Sequence, residues 1–165
     1  MSNIIATFFF VGRLRPAPGT WGSAVAVPFG VLFHYLGSFP LLAMACLAAV
    51  GWGFWACERE LSDKPGEDPS EIVIDEVAGQ WIALAFPSFA FWVAGFENST
   101  FPWPAWVGAF LLFRLFDIWK PSLVGKADAR HDPQGVMLDD VWAGVFAGVA
   151  VIVLGILWHI PLMLL

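Results

Sequence analysis

The sequence predicts an all-α polytopic membrane bundle of about five membrane-embedded helices, with its reactive groups at the cytoplasmic interface. Three observations lead there. Hydrophobic residues make up 59 % of the chain and charged residues 13 %, against roughly 45–50 % and about 25 % in soluble domains; a globular surface cannot be covered with so few charges. The charges fall into clusters separated by uncharged stretches of helical length. Finally, five spans put every Lys and Arg on one side of the membrane, which the positive-inside rule makes the cytoplasmic one.

The elements follow in order. Ile4–Gly12 is a short apolar run ahead of Arg13 and Arg15, readable as an interfacial helix. A cleavable signal carries its positive charge before the apolar run, so none is expected. From Pro16 to Cys57 there is no Asp, Glu, Lys or Arg, and Gly37-Ser38-Phe39-Pro40 interrupts the stretch. Gly and Pro punctuate turns, which predicts a helical hairpin over about Thr20–Leu36 and Leu41–Cys57. Both arms are at or below the roughly 17–25 residues a span needs, so they imply tilt, thinning or a re-entrant first arm. Val77–Phe96, Phe101–Phe116 and Val141–Leu165 complete the set. The N-terminus, the Glu58–Glu76 cluster and the Arg114–Asp140 cluster are then inside, with Glu97 and Leu165 outside. A chain of 165 residues forms one domain, 1–165, without room for a separate catalytic module.

Composition narrows the partners. Ten Trp and sixteen Phe suit membrane–water interfaces and contact with membrane lipids. The net charge of −6 comes from local acidic groups, and without a basic stripe no nucleic acid partner is expected. Oligomeric state is not legible. Cys46 and Cys57 lie in apolar surroundings without metal-ligand spacing and read as small buried hydrophobes. His34 and His159 in apolar runs, and His131 in a loop, read as packed or solvated side chains.

Four constellations sit on the cytoplasmic side. Pro18-Gly19-Thr20-Trp21-Gly22-Ser23 precedes the first apolar helix. Thr20 can cap that helix, and free N–H groups at the positive end of a helix dipole suit a phosphate oxygen. In Asp68–Gly79, Asp68 as cap, Pro69 at the first helical position and Glu71 as reciprocal cap predict a helix start. Asp75 and Glu76 then lie two turns in, where carboxylates are costly unless paired or metal-bound. In Phe113–Pro121, Arg114, Asp117 and Lys120 recur every three residues and share a broad helix face before Pro121 ends the helix. Gly135–Gly144 opens the last span with Asp139-Asp140. It echoes Ile72–Gly79: three apolar residues, two acids, valine, then small residues.

Each constellation has a plainer reading: a capped turn, solvated juxtamembrane acids, a structural salt-bridge cluster. Taken together they describe a hard-cation centre, with carboxylates Asp75, Glu76, Asp117, Asp139 and Asp140 beside a phosphate-binding turn (Thr20, Ser23) and the cations Arg114 and Lys120. Oxygen ligands with a phosphate favour Mg²⁺, and the missing Cys/His set disfavours zinc. Asp75, Glu76, Asp139 and Asp140 are the candidate metal ligands.

The stretches PGTWGS, IVIDEVAG, FRLFDIWKP and GVMLDDVWAG, in this order from Pro18 to Gly144, resemble the phosphatidylglycerophosphatase A family. The resemblance implies an all-helical phosphoric monoester hydrolase of the bacterial inner membrane. Its reaction would be the Mg²⁺-dependent removal of phosphate from phosphatidylglycerophosphate, giving phosphatidylglycerol. It also implies functional roles for Thr20, Asp75, Glu76, Asp117, Lys120, Asp139 and Asp140, which occupy the motif positions. The Ala127–Gln134 segment is polar where the family is often glycine-rich, so loop geometry is expected to differ there.

Competing chemistries lack their residues. No Asp-x-Asp-x-Thr or Cys-x₅-Arg pattern supports a phospho-enzyme route, and the long Asp/Gly pattern of lipid alcohol phosphatidyltransferases is absent. A transporter or channel would hold its ionisable groups near the midplane; here they stay at one face. One orientation is predicted as well. Asp140 is in helical register with Gly144 and Gly148, small residues that mark a close packing face. Asp140, and by the echo Glu76, should look into the bundle, leaving Asp139 and Asp75 for a second ion, a water or Lys120.

Overall fold

The computed structural model describes residues 1–61, 70–130 and 132–163, with side chains as far as Trp158. Lys64, Asp68, Pro69, His131, the His159 side chain and Leu165 lie outside the described residues. Within them every regular element is helical: α1 (Ser2–Ala6), a 3₁₀ turn (Val11–Arg13), α2 (Pro18–Leu61), α3 (Ile74–Val93), α4 (Trp103–Trp119), α5 (Leu123–Asp128) and α6 (Pro133–Met163).

Helix α2 is two arms, broken where the Gly-Ser-Phe-Pro interruption predicts. Gly37 (φ −154°, ψ 19°) and Ser38 (φ 55°, ψ −154°) leave helical geometry, and Pro40 follows at the start of the second arm, where a missing N–H costs nothing. The first arm, 18–36, runs along α3. Trp81 Nε1 donates to the Ala26 carbonyl at 2.8 Å, and Gly22 and Gly30 let Val73, Trp81 and Leu84 close in. The second arm, 39–61, returns to the starting end, where a side chain at Gly53 would strike Met137 at 2.6 Å and meet Ile74. Helices α3 and α6 approach most closely through small residues: Gly144 rests on the Gly79 backbone and Gly148 on the Phe86 ring. Such contacts replace hydrophobic burial as the source of cohesion between membrane helices.

The helices Pro18–Leu61 and Pro133–Trp158 are long and apolar enough to cross a membrane by length and composition. Helices α3 and α4, of 20 and 17 residues, occupy the third and fourth predicted spans. Large apolar side chains face outward, with Leu47 75 % and Trp158 76 % exposed, a surface suited to lipid. Far from the charged end, His34 Nδ1 lies 2.7 Å from Ser88 Oγ and the His34 ring stacks on Phe101. Cys46 and Cys57 are buried and form no disulfide.

Three boundaries depart from expectation. Helix α3 begins at Ile74, not at Pro69. Ser70 and Glu71 form a turn, and Ile72 and Val73 are buried instead of helical. The Val73 N–H donates to the Ala6 carbonyl at 2.8 Å, so a tertiary partner serves the residue just ahead of α3. Helix α6 begins at Pro133, ahead of the predicted Val141, because the Asp132 carboxylate accepts the Gly135 N–H at 2.6 Å. Helix α2 begins at Pro18, which places Thr20 inside its first turn instead of at the cap.

Candidate active site

Four helix ends meet at the charged end of the bundle: the starts of α2, α3 and α6 and the end of α4. Because α3 starts at Ile74, Asp75 and Glu76 lie in its first turn, where the helix dipole favours negative charge. They are not two turns in. Asp75 and Glu76 meet Asp140 of α6, with one carboxylate oxygen from each lying within 4.8 Å of the others. Asp75 and Asp140 are buried at 8 % and 3 % exposure. The Glu76 carboxylate is pressed against the bare Cα of Gly19, where a methyl group would overlap Oε1.

The sequence echo between the two acidic pairs extends to local geometry. Asp75 Oδ1 accepts the Glu76 N–H at 2.9 Å, and Asp139 Oδ1 accepts the Asp140 N–H at 3.0 Å. Beyond that the pairs diverge. Asp140 turns inward, as its register with Gly144 and Gly148 predicts, while Asp139 Oδ2 accepts from Lys120 Nζ at 3.1 Å. Asp75, expected to look elsewhere, points into the same cluster as Glu76. The first turn of a helix leaves room for both members of a pair to fold over the helix end, which a mid-helix pair such as 139–140 lacks.

The cations are held in place. Arg114 Nη1 lies 2.7 Å from Asp117 Oδ2 and donates to Ser23 Oγ at 3.4 Å; Ser23 Oγ in turn donates to the Gly19 carbonyl at 2.9 Å. Asp117 also reaches the Asp140 side chain. Arg114 is therefore next to both the acidic trio and the start of α2. Lys120, just past α4, takes a left-handed conformation (φ 50°, ψ 52°), and its ammonium sits between Asp139 and Asp128. Partial burial alone lowers the Lys120 pKa, but the hydrogen bond to Asp128 and the Asp139 charge outweigh it and raise the group above its ordinary value. Gly125 lets α5 close on the Lys120 carbonyl, which a side chain would meet at 2.6 Å. Thr20 is exposed, next in the chain to Gly19, which meets Glu76 and Arg114.

The donor set suits a hard cation. Glu76 Oε2 and Asp140 Oδ1 are buried without a hydrogen-bond partner among the described residues. An unmatched buried carboxylate oxygen is costly unless a cation answers it. All three side chains of the trio offer oxygen, which fits Mg²⁺. Two groups were not singled out in the sequence. Asp128 gave no signal, being one of several acids in a polar loop. Gln80 did, as the one amide in the uncharged third span, a single turn beyond Glu76; it is fully buried.

Comparison with known proteins agrees with this picture. Residues 4–155 match the model of the phosphatidylglycerophosphatase A family. A Bacteroides thetaiotaomicron protein, provisionally named phosphatidylinositol-3-phosphatase, is 37 % identical over 91 % of this chain and 91 % of its own. Proteins named phosphatidylglycerophosphatase A from Escherichia coli and Haemophilus influenzae are each 32 % identical, over 99 % and 90 % of this chain and 90 % and 85 % of theirs. No solved structure matches at a significant level. A family match over nearly the whole chain, joined by relatives of the same name along most of their lengths, makes this protein a phosphatase of the phosphatidylglycerophosphatase A family.

Proposed function

We propose that the protein hydrolyses the terminal phosphate of phosphatidylglycerophosphate to give phosphatidylglycerol, at the cytoplasmic face of a bacterial inner membrane and with Mg²⁺. The observation that carries this is the trio of buried Asp75 and Asp140 with half-buried Glu76, with oxygens within 4.8 Å, beside Arg114 and the start of α2. In this reading the trio holds the cation. When bound there, Mg²⁺ would supply charge neutralisation at the phosphate and would acidify a water. The N–H groups of Gly19 and Thr20 belong to the first helical turn, ahead of any intrahelical acceptor, and donate to phosphate oxygens with the Thr20 hydroxyl. Arg114, fixed by Asp117 and Ser23, places a guanidinium against the same phosphate, in the manner suited to spread transition-state charge. Lys120 adds a second positive charge at the rim, and Asp139 holds it there. Asp117, between Arg114 and Asp140, couples the anion-binding and cation-binding halves.

The bilayer assignment is supported by the outward apolar side chains and by the gathering of Arg13, Glu71, Arg114, Asp117, Lys120 and Asp139 at one end. Five spans with that end inside would set the reacting phosphate at headgroup level. The name of the Bacteroides relative favours a second reading, in which the phosphomonoester sits on an inositol lipid.

Phosphate release from purified protein in mixed micelles tests both. Phosphatidylglycerophosphate should be the better substrate by specificity constant, soluble phosphomonoesters should be poor, and chelation should stop turnover until Mg²⁺ is restored. Full activity after exhaustive chelation removes the metal; a higher specificity constant for phosphatidylinositol 3-phosphate replaces the substrate.

A further inference from the structure

Gln80 is 0 % exposed, yet neither Oε1 nor Nε2 of its carboxamide has a partner among the described residues. Burying an amide without hydrogen bonds costs about 1–3 kcal/mol on mutational scales, so an unmatched pair of atoms calls for a ligand or a role. Its direction follows from its neighbours. Successive helical residues are about 100° apart and residues four apart about 40°, so Gln80 projects close to the sector of Glu76. On one flank, Gly79 faces the Asp140 carbonyl and the Phe113 ring, each 2.5 Å from an added Cβ. On the other, Trp81 reaches the Ala26 carbonyl of α2. Gln80 therefore points between α2 and α6, the wedge where Glu76 meets Gly19 and Arg114. Helical side chains lean toward the N-terminus of their helix, which carries the carboxamide back toward the Glu76 turn.

We propose that Gln80 is a neutral member of the cation site, forming its floor: when the cation is bound, the carboxamide oxygen faces its coordination shell and the NH₂ group, unmatched without the cation, donates to a carboxylate of the trio. The inference rests on the cation reading of Asp75, Glu76 and Asp140. It explains four unmatched buried atoms together: Glu76 Oε2, Asp140 Oδ1 and both Gln80 amide atoms. A neutral oxygen also suits the charge balance. Three carboxylates already exceed the charge of one divalent cation, and a fourth would add repulsion without being needed for neutralisation. An amide offers an acceptor to the cation shell and a donor to an acid at once.

The test uses the full-length protein in detergent, with Mg²⁺ as the probe. Titration calorimetry gives its affinity, and thermal unfolding with Mg²⁺ or EDTA gives the stabilisation it confers. Gln80→Leu and Gln80→Met keep volume and remove both polar atoms; Gln80→Glu keeps an oxygen. Leu and Met should weaken Mg²⁺ binding about 10-fold and shrink the Mg²⁺-induced rise in melting temperature. In EDTA their melting temperature should equal or exceed that of the wild type, since an unmatched amide has been removed. Glu should retain binding. Unchanged Mg²⁺ affinity in both Leu and Met variants, with wild type binding normally, overturns the role of Gln80 alone. Wild type that turns over lipid without binding Mg²⁺ overturns the cation reading, and Gln80 with it. A fall in melting temperature of both variants in EDTA also overturns the proposal, because the fold itself would then require the carboxamide.

Discussion

Gly19 and Glu76 are in direct contact across the α2–α3 interface, the glycine Cα forming the wall against which the carboxylate rests. A helix start that suits phosphate and an acid that suits a cation thus touch through a position where no side chain fits. The contact links the two halves of the proposed site, and it gives glycine at position 19 a reason apart from backbone freedom.

Gly19→Ala is predicted to displace the Glu76 carboxylate while leaving the fold intact, because alanine is the better helix former. A misplacement near 1 Å costs on the order of 10²-fold in rate. The specificity constant for phosphatidylglycerophosphate should drop by about that factor, with the melting temperature in detergent unchanged or raised. Wild-type kinetics in the alanine variant would show that the close approach has no part in turnover.

The acidic pairs are predicted to separate by function. Asp75→Asn, Glu76→Gln and Asp140→Asn should each raise the Mg²⁺ requirement or reduce turnover by on the order of 10²-fold or more. Asp139→Asn should cost less, because its carboxylate meets Lys120, and Lys120 keeps Asp128. Mg²⁺ titrations of steady-state rate distinguish the cases. A deficit for Asp139→Asn as large as that for Asp140→Asn would return Asp139 to the cation.

Membrane orientation is predicted from charge. Single cysteines replacing Lys64 and Arg130 should react with an impermeant thiol reagent from the same side, and a cysteine replacing Glu97 from the other. Native Cys46 and Cys57 are buried and should contribute little background. Labelling of positions 64 and 130 from opposite faces would end the five-span arrangement.

Much of this protein was legible along the chain because its physics is one-dimensional at that level. Uncharged stretches mark the helices, and Gly37 to Pro40 marks the break between the arms of α2. The register of Asp140 with Gly144 and Gly148 fixed an inward direction, since a helix repeats every 3.6 residues whatever surrounds it. Helix starts were less legible. The Asp68–Pro69–Glu71 pattern lies partly outside the described residues; where the chain is described, the Val73 N–H meets the carbonyl of Ala6, some sixty-seven positions away, and α3 starts at Ile74. The shift decided the site. It put both Asp75 and Glu76 in a first turn, where the two can converge on Asp140, whereas spacing alone would have separated them. Arg114–Asp117 was readable as an i, i+3 pair; that Ser23 ties it to α2, that Asp128 shares Lys120, and that Gln80 lies beneath the trio depend on which helices are neighbours. Charge placement, the approximate course of the helices and their small-residue faces can be read along the chain. Which charges meet is settled in three dimensions, by contacts between segments far apart in the chain.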